Sequence, residues 1–397
     1  MGNEQSVPRI RTLVLILAGG AGGRLELLTH TRAKPAVSFA GTHRLIDFPL
    51  SNCMNSAISD VWVSQQYNPA SLSDHLSNGR PWDLDRTRGG LLVLHPSEGN
   101  DGSGGFAQGT ADVLWGNGKL IREFDPQALV VVSADAVYKL DYGALVGEHC
   151  EAGKTVTLVT TTVDPEDAGR YGVVQAKGGQ VTGYALKPDE PDGNLIANEV
   201  FVFEPRRVLD TLDELAEEAG EDGLEDLGHE LLPRLVDDGE VCEHRFDGYW
   251  RDVGTIPSYW ETHQELVQDE PPIDLDEPAW PVLTHAQDNR ASGRIGSSAE
   301  IVSSVIAPGA TVAGSVERSV IGRGARVEEG AVVRGAVLLP GSIVRAGARV
   351  ERAILDDGVE VRGTVGEPDG EIALVGKRAV VGEDVRLGGG ARFPDED

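Results

Sequence analysis

Apolar residues in this chain come in two textures. From Leu13 to about Val267, short aliphatic runs alternate with segments whose apolar positions recur at helical spacing. Leu13–Leu17 and Leu129–Val132 are continuous apolar runs of the kind that makes a buried strand, and Val61–Val63 reads as a shorter one. Leu45–Ile58, Ser71–Leu76 and Thr110–Phe124 read as helices between them. Asn78–Phe106 is rich in Gly, Arg and Asp around one apolar strand, Leu91–Leu94, and part of it is expected to be a mobile loop. A β-rich stretch follows: Thr155–Val163, a hairpin of Gly172–Gln175 and Val181–Leu186 turned at Gly178-Gly179, and Val200–Phe203. Arg206–Ala219 and Leu224–Leu235 predict acidic amphipathic helices, and Tyr249–Thr255 leads into a helix ending near Val267. Strands alternating with helices predict an α/β sheet.

Gln268–Pro281, proline- and acid-rich, marks a boundary. Beyond it the pattern changes period. Aliphatic residues recur at every sixth position: Ile321, Val327, Val333 and Leu339 in one phase, Val332, Leu338, Val344 and Val350 in another. Pro308-Gly309, Gly324, Gly330 and Pro340-Gly341 punctuate them. A helix needs a period of 3.6 and a flat strand a period of two. Six fits a parallel β-helix whose interior each aliphatic fills. The expected organisation is a catalytic domain over residues 10–268, a linker over 269–289 and a β-helix over 290–391, the last serving as scaffold and assembly surface.

Composition narrows the function. A formal net charge of −29 argues against a nucleic-acid or anionic-membrane surface, both of which need clustered Lys and Arg. A polyanionic substrate must then be held by a local island of cations, and Arg24, Arg32 and Lys34 supply one. Three cysteines without a CxxC suggest neither a disulfide framework nor a zinc site. Met1–Ser6 fits a myristoylation pattern formally, which is read as chance. No signal peptide or membrane-length apolar run is apparent, so a cytoplasmic protein is expected.

The candidate chemistry begins where the first strand ends. Ala18-Gly19-Gly20-Ala21-Gly22-Gly23 lets the backbone turn tightly and approach a ligand, and cations follow at once. That composition suits a phosphate cradle as well as a simple flexible turn. A Walker loop would end in Gly-Lys-Ser/Thr, but here Gly23-Arg24-Leu25 stands. A dinucleotide fingerprint would need a third glycine where Leu25 stands. Ligands of open α/β sheets sit beyond the carboxyl ends of strands, so Asp135 is expected to face the glycine loop. By spacing alone Asp135 is equally a turn residue, and Asp252 equally a partner of Arg251.

GGAGGRL, RAKPAV and RLIDFPLSN in close succession, with YWRDVGT downstream, make the chain resemble the sugar-nucleotide pyrophosphorylases. Within them it is most similar to the bacterial ADP-glucose pyrophosphorylases (glucose-1-phosphate adenylyltransferases). The resemblance implies a Rossmann-like nucleotidyltransferase domain followed by a left-handed β-helix of hexapeptide repeats. It implies ATP, or another nucleoside triphosphate, and glucose 1-phosphate or a related hexose 1-phosphate as substrates, with Mg²⁺ as cofactor. It also implies a homo-oligomer, a tetramer in such enzymes, regulated by metabolites.

Residue by residue, Asp135 and Asp252 match the metal-binding aspartates. Arg24 and Lys34 match the cations on the β- and γ-phosphates. Gly19, Gly20, Gly22, Gln66, Gly109 and Thr110 match the nucleotide side, and Lys187 matches the grip on the sugar phosphate. The departures fall on the sugar side: Leu186 stands where the family has glutamate, and Ala197-Asn198-Glu199 where it has Ser-Met-Gly. Asn198 and Glu199 are the candidates to replace the lost sugar contacts. Ala134 and Ala136 flank Asp135 in place of glycine and histidine. Two other readings are weighed. A non-catalytic regulatory paralogue has no need of both aspartates. An acyltransferase on the β-helix lacks a histidine there, the last of the nine being His285. His30 and His43 are expected at the surface.

Overall fold

The structure is a computed structural model describing residues 10–20, 22–96, 107–220, 223–285 and 291–394. The 97–106 part of the expected mobile loop, the Met1–Ser6 pattern and the 286–289 end of the expected linker lie outside the described residues. Eleven strands build the N-terminal part: β1 (Thr12–Ala18), β2 (Asp60–Gln65), β3 (Gly90–Leu94), β4 (Ala128–Ser133), β5 (Ala136–Tyr138), β6 (Val156–Thr162), β7 (Gly172–Lys177), β8 (Gln180–Leu186), β9 (Leu195–Phe203), β10 (Val241–Arg245) and β11 (Trp250–Asp252). A short hairpin, Ser38–Phe39 with His43–Arg44, is additional.

Nine strands form one mixed sheet in the order β3-β2-β1-β4-β9-β6-β10-β8-β7. Strands β3, β2, β1 and β4 are parallel, and β9 runs antiparallel to β4 and β6. The predicted buried runs sit at its centre because both faces are covered. Val14, Ile16, Val61, Val63, Val130 and Val132 face one core, shared with Tyr142 and Leu145. Leu13, Leu15, Trp62, Leu129 and Val131 face the other, with Phe203, Val208 and Leu212. Continuous apolar strands are what a two-sided parallel sheet requires.

Some predicted elements differ. The first helix is Asp47–Asn55, not Leu45–Ile58, because His43–Arg44 is in the hairpin and Ala57, at φ 56°, ends the turn. The segment Thr110–Phe124 breaks at Asn117 into Thr110–Gly116 and Gly118–Phe124. Of Leu224–Leu235 only Leu231 onward is helical, to Asp237. The preceding backbone is used elsewhere: Glu225 O accepts from Ala111 N, and Leu227 N donates to Thr110 Oγ1. Strands β5 and β10 have no counterpart among the predictions.

From Arg294 onward three six-stranded parallel sheets wind as the faces of a left-handed β-helix. Val312, Val327, Val344, Val361 and Val381 stack on one face, and Val316, Val333, Val350 and Val365 on the next. The interior series 327, 333, 338, 344, 350, 355, 361 steps by six and sometimes by five, which explains the two phases in the sequence. Val332 points outward, half-buried. Leu339 does too, but it packs against the catalytic domain.

The two parts share a core. Leu25, Leu28, Val37, Phe39, Phe48 and Tyr259 meet Val320, Val337, Leu339, Ile354 and Leu374. Trp260 Nε1 donates to Gly335 O, and the Arg352 guanidinium lies 4.3 Å above the Trp260 ring. His263 is wholly buried at this seam. Its Nδ1 bonds Tyr259 O and its Nε2 accepts from Ala40 N, a pattern that requires the neutral ring. Burial lowers its pKa to about 4. His43, expected at the surface, is buried too and bonds Val282 O, because the hairpin folds it under that segment. Among the described residues no helix is long and apolar enough to cross a membrane.

Candidate active site

A cleft of about 430 Å³ opens at the carboxyl ends of β1 and β4. Gly19 and Gly20 form one lip, Lys34 and Asp135 the floor, and Leu186, Lys187 and Glu199 the far wall. Three elements bring the charged groups together. Strand β4 delivers Asp135. The short antiparallel pair β5–β11 sets Ala136 opposite Asp252, and Val253 N donates to Asp135 O, so the two aspartates become neighbours. Lys34 comes from the turn after the glycine loop, starting a short helical turn with Pro35.

The ammonium of Lys34 lies between the two carboxylates, 2.5 Å from Asp135 Oδ2 and 3.8 Å from Asp252 Oδ1. Gly254 makes room for it: a Cβ there would fall 2.8 Å from Asp252 Oδ1 and 3.0 Å from Lys34 Nζ. Ser133 Oγ donates to Asp135 Oδ1. On the far side of Asp252, Arg170 Nη2 approaches its Oδ2 to 4.0 Å, while Arg170 Nη1 is held by Asp167 at 2.9 Å.

Charge in this cluster is unbalanced. Burial alone would lower the Lys34 pKa, but Asp135 and Asp252 more than offset it and raise it. Burial works against ionised Asp135 as well, yet the Lys34 ammonium and the Ser133 hydroxyl hold its carboxyl below the usual range. Asp252 is pushed up, by burial and then by Asp135. Glu199 is pushed up to about 7, by burial and then by Asp135 and Asp252, although water in the cleft reaches it. Three carboxylates thus crowd one ammonium, with the Arg24 and Arg170 guanidinium groups acting on them from further off. A divalent cation taken up by Asp135 and Asp252 would relieve that excess, and hard carboxylate oxygens are the donors Mg²⁺ prefers.

The remaining expected residues fall as follows. Gly19 lies under Gln66, whose Nε2 would be 3.1 Å from a Cβ there, and Gly20 has open space on the cleft side. Gly22, at φ 72°, is fixed by packing: a Cβ would fall 2.9 Å from Thr29 Cγ2. Gly109 is tight for a different reason from ligand approach, since a Cβ would collide with Glu225 O at 2.2 Å. The Thr110 hydroxyl lines the cleft but is engaged with Asp226 and Leu227 N. Arg24 is exposed near the cleft, its charge acting on both aspartates.

Two expectations need correction. Arg32 is not part of the phosphate-side cation island: its guanidinium is buried against Asp356 of the β-helix at 2.7 and 2.9 Å. Asn198 does not reach the sugar side. Alternation along β9 puts Ala197 and Glu199 on the cleft and buries Asn198, with neither amide atom hydrogen-bonded. Asp252 lines the adjoining cavity of about 400 Å³, with Arg170 and Trp250, while Tyr171 lines both.

Sequence reasoning missed Ser133, Arg170, Tyr184, Asp226 and Gly254. Ser133 could have been found, as the last residue of β4, two residues before Asp135. Tyr184 carried no signal, although its hydroxyl fills the space where Gly172 and Gly228 lack side chains.

Sequence comparisons agree with this arrangement. A profile of the family described as Nucleotidyl transferase matches residues 13–269, and one described as GlmU-like, C-terminal hexapeptide matches residues 289–369. A protein named Glucose-1-phosphate adenylyltransferase from Thermomicrobium roseum is 40% identical over 301 residues, 75% of this chain and 69% of its own length. The protein of that name from Thermotoga maritima is 38% identical over 318 residues, covering 79% and 74%. The one from Acetivibrio thermocellus is 33% identical over 394 residues, covering 97% and 85%. The first profile spans well over half of the chain, and the chain belongs to the nucleotidyl transferase family.

Proposed function

We propose that the protein is a glucose-1-phosphate adenylyltransferase, joining ATP and glucose 1-phosphate into ADP-glucose with release of pyrophosphate. The observation that carries the reading is the placement of Asp135 and Asp252 on either side of one cation, that of Lys34, between the cleft that Asp135 lines and the adjoining cavity that Asp252 lines. A phosphate oxygen of the sugar phosphate attacks the α-phosphorus of the nucleotide, the bond to the β-phosphate oxygen breaks, and pyrophosphate leaves with the electron pair. Such a transfer asks the protein for positioning and charge neutralisation rather than covalent help.

In this reading Gly19, Gly20 and Gln66 receive the nucleotide, and Arg24 and Lys34 meet the β- and γ-phosphates as negative charge builds on the leaving pyrophosphate. Lys187 holds the sugar phosphate. Asp135 and Asp252 would hold Mg²⁺, which when bound neutralises phosphate charge and orients the α-phosphoryl group. With their charge taken up in that way, the Lys34 ammonium, which lines the same cleft, would be free to meet the triphosphate. The reaction belongs in the cytoplasm, where ATP is made, and the β-helix offers a subunit interface through its open first coil, where Ile295 and Val302 are exposed.

The sugar wall favours a second reading on one specific point. Leu186, apolar, lines the cleft beside Lys187, and Glu199 faces it, so a different hexose 1-phosphate fits the same phosphate grip. Pyrophosphate release across a matrix of nucleoside triphosphates and hexose 1-phosphates decides between them. ATP with glucose 1-phosphate should give the highest kcat/KM. Highest turnover with another pair would move the assignment to that sugar or base.

A further inference from the structure

The segment that follows the glycine loop is a compact knot with a strained residue at its centre. Glu26 stands at φ 49°, ψ −130°, a backbone region that residues with a side chain rarely occupy. Its carbonyl accepts from both the Thr29 amide, at 2.9 Å, and the Thr29 hydroxyl, at 3.1 Å. The same hydroxyl shares its single proton with Gly22 O, at 2.9 Å, and Leu25 N donates to Gly22 O at 2.9 Å. Gly22 and Arg24 are therefore tied to Glu26 through a closed set of short bonds. If Glu26 relaxed to an ordinary conformation, its carbonyl would swing off Thr29 and the turn carrying Arg24 would loosen.

What holds Glu26 lies at the other end of the chain. Arg392, on the last strand of the β-helix, grips the Glu26 carboxylate with two groups: Nε donates to Oε2, and Nη2 to Oε1 at 3.1 Å. The third nitrogen, Nη1, is fixed on the β-helix by the carbonyls of Ile372 at 2.7 Å and Gly390 at 3.1 Å. Arg392 itself sits on a rung paired with Leu374. Beneath it Leu25, Leu27 and Leu28 pack in the core that includes Ile372 and Leu374. An arginine with all three guanidinium nitrogens engaged is a rigid fork, and a bidentate carboxylate contact fixes orientation as well as distance.

We propose that Arg392 is a positioning residue for nucleotide binding. Its grip on Glu26 holds the turn of Gly22 and Arg24 in the geometry that receives the triphosphate, so the final coil of the β-helix sets nucleotide affinity in the catalytic domain. The inference rests on the adenylyltransferase reading. It extends that reading to a residue that touches no substrate and acts only through Glu26, Thr29 and Gly22.

The test is ATP binding by calorimetry, in the presence of Mg²⁺ and without sugar phosphate, on the full-length chain. The proteins are wild type, Arg392→Ala, Glu26→Ala and the double variant, each with its melting temperature and its KM for glucose 1-phosphate. Either single change should weaken ATP binding about tenfold, and the double no further, because both cut one link. The KM for glucose 1-phosphate should stay within about twofold, which a general loss of structure would not allow. Arg392→Lys, which keeps one point of contact, should fall between and stands in should Arg392→Ala fail to fold. Unchanged ATP affinity in Arg392→Ala, or in Arg392→Lys if only that variant folds, would overturn the proposal. So would additive losses in the double variant. A wild type that binds no nucleoside triphosphate would instead remove the functional reading on which the proposal stands.

Discussion

Asp135 and Asp252 stand 117 positions apart in the chain and become neighbours through one pair of residues, Ala136 opposite Asp252 in the β5–β11 ladder. That ladder is only three residues long, so the site depends on short-range order around it rather than on the main sheet. Changing either aspartate to asparagine keeps size and packing but removes the charge that would hold a divalent cation. Each variant should lose about 10³-fold in kcat, as loss of a central electrostatic contact does, while still unfolding in one cooperative transition. Pyrophosphate release alongside thermal denaturation checks both halves of that statement. Leu186 belongs to the same scale. A site that hydrogen-bonds a sugar hydroxyl loses about 1–3 kcal/mol when the acceptor becomes apolar. Glucose 1-phosphate should therefore be only weakly preferred over galactose, mannose and glucosamine 1-phosphates, and Leu186→Glu should sharpen the preference. Strong selection in the wild type that Leu186→Glu leaves unaltered would remove position 186 from the sugar wall.

The elements were legible in proportion to how local their causes are. Strands β1 and β4 announce themselves as apolar runs because both faces of the sheet are covered, and the hexapeptide period shows the β-helix directly. Segments shaped by distant contacts did not show. Leu224–Glu230 has an amphipathic helical pattern, yet its backbone is taken by Ala111 and Thr110. Asn198 looked available for a sugar, but strand alternation turns it inward. Arg32 looked like a phosphate ligand in sequence because its true partner, Asp356, is 324 residues away. The aspartates and Lys34 were visible through their motifs, whereas Arg170 and Gly254 matter only through geometry. Helix Ile256–Leu266 carries a prediction of its own. Its buried His263 titrates at about 4, below the ordinary value near 6.5. A depressed pKa means the unfolded chain takes up the proton first, so this stabilisation is complete above about pH 6.5 and drains away as the pH falls toward 4. Between pH 7 and pH 5 the loss should be about 2 kcal/mol. In His263→Gln the drop over that interval should be smaller by this amount, measured by urea unfolding at the two pH values. An identical drop in both proteins would mean that His263 is not held neutral in the fold.

At the scale of the molecule, the catalytic domain and the β-helix are one folding unit more than two. The shared core, the Arg32–Asp356 pair and the Arg392–Glu26 grip all join the segment after the glycine loop to the later coils. Removing residues 290–397 would expose Leu25, Phe39 and Tyr259 to water and take away the Asp356 carboxylate that pairs with Arg32. The truncated chain should aggregate or lose activity, as size-exclusion chromatography and the pyrophosphate assay would register. A soluble, fully active truncation would contradict the coupling between the parts. The central claim is the reaction itself, and phosphorus NMR follows it most directly. With ATP, glucose 1-phosphate and Mg²⁺, the wild type should convert both substrates into the nucleoside diphosphate sugar ADP-glucose and pyrophosphate in equal amounts, and Asp252→Asn should show neither product. No pyrophosphate from the wild type with these substrates, or product formation by Asp252→Asn at the wild-type rate, would contradict the account.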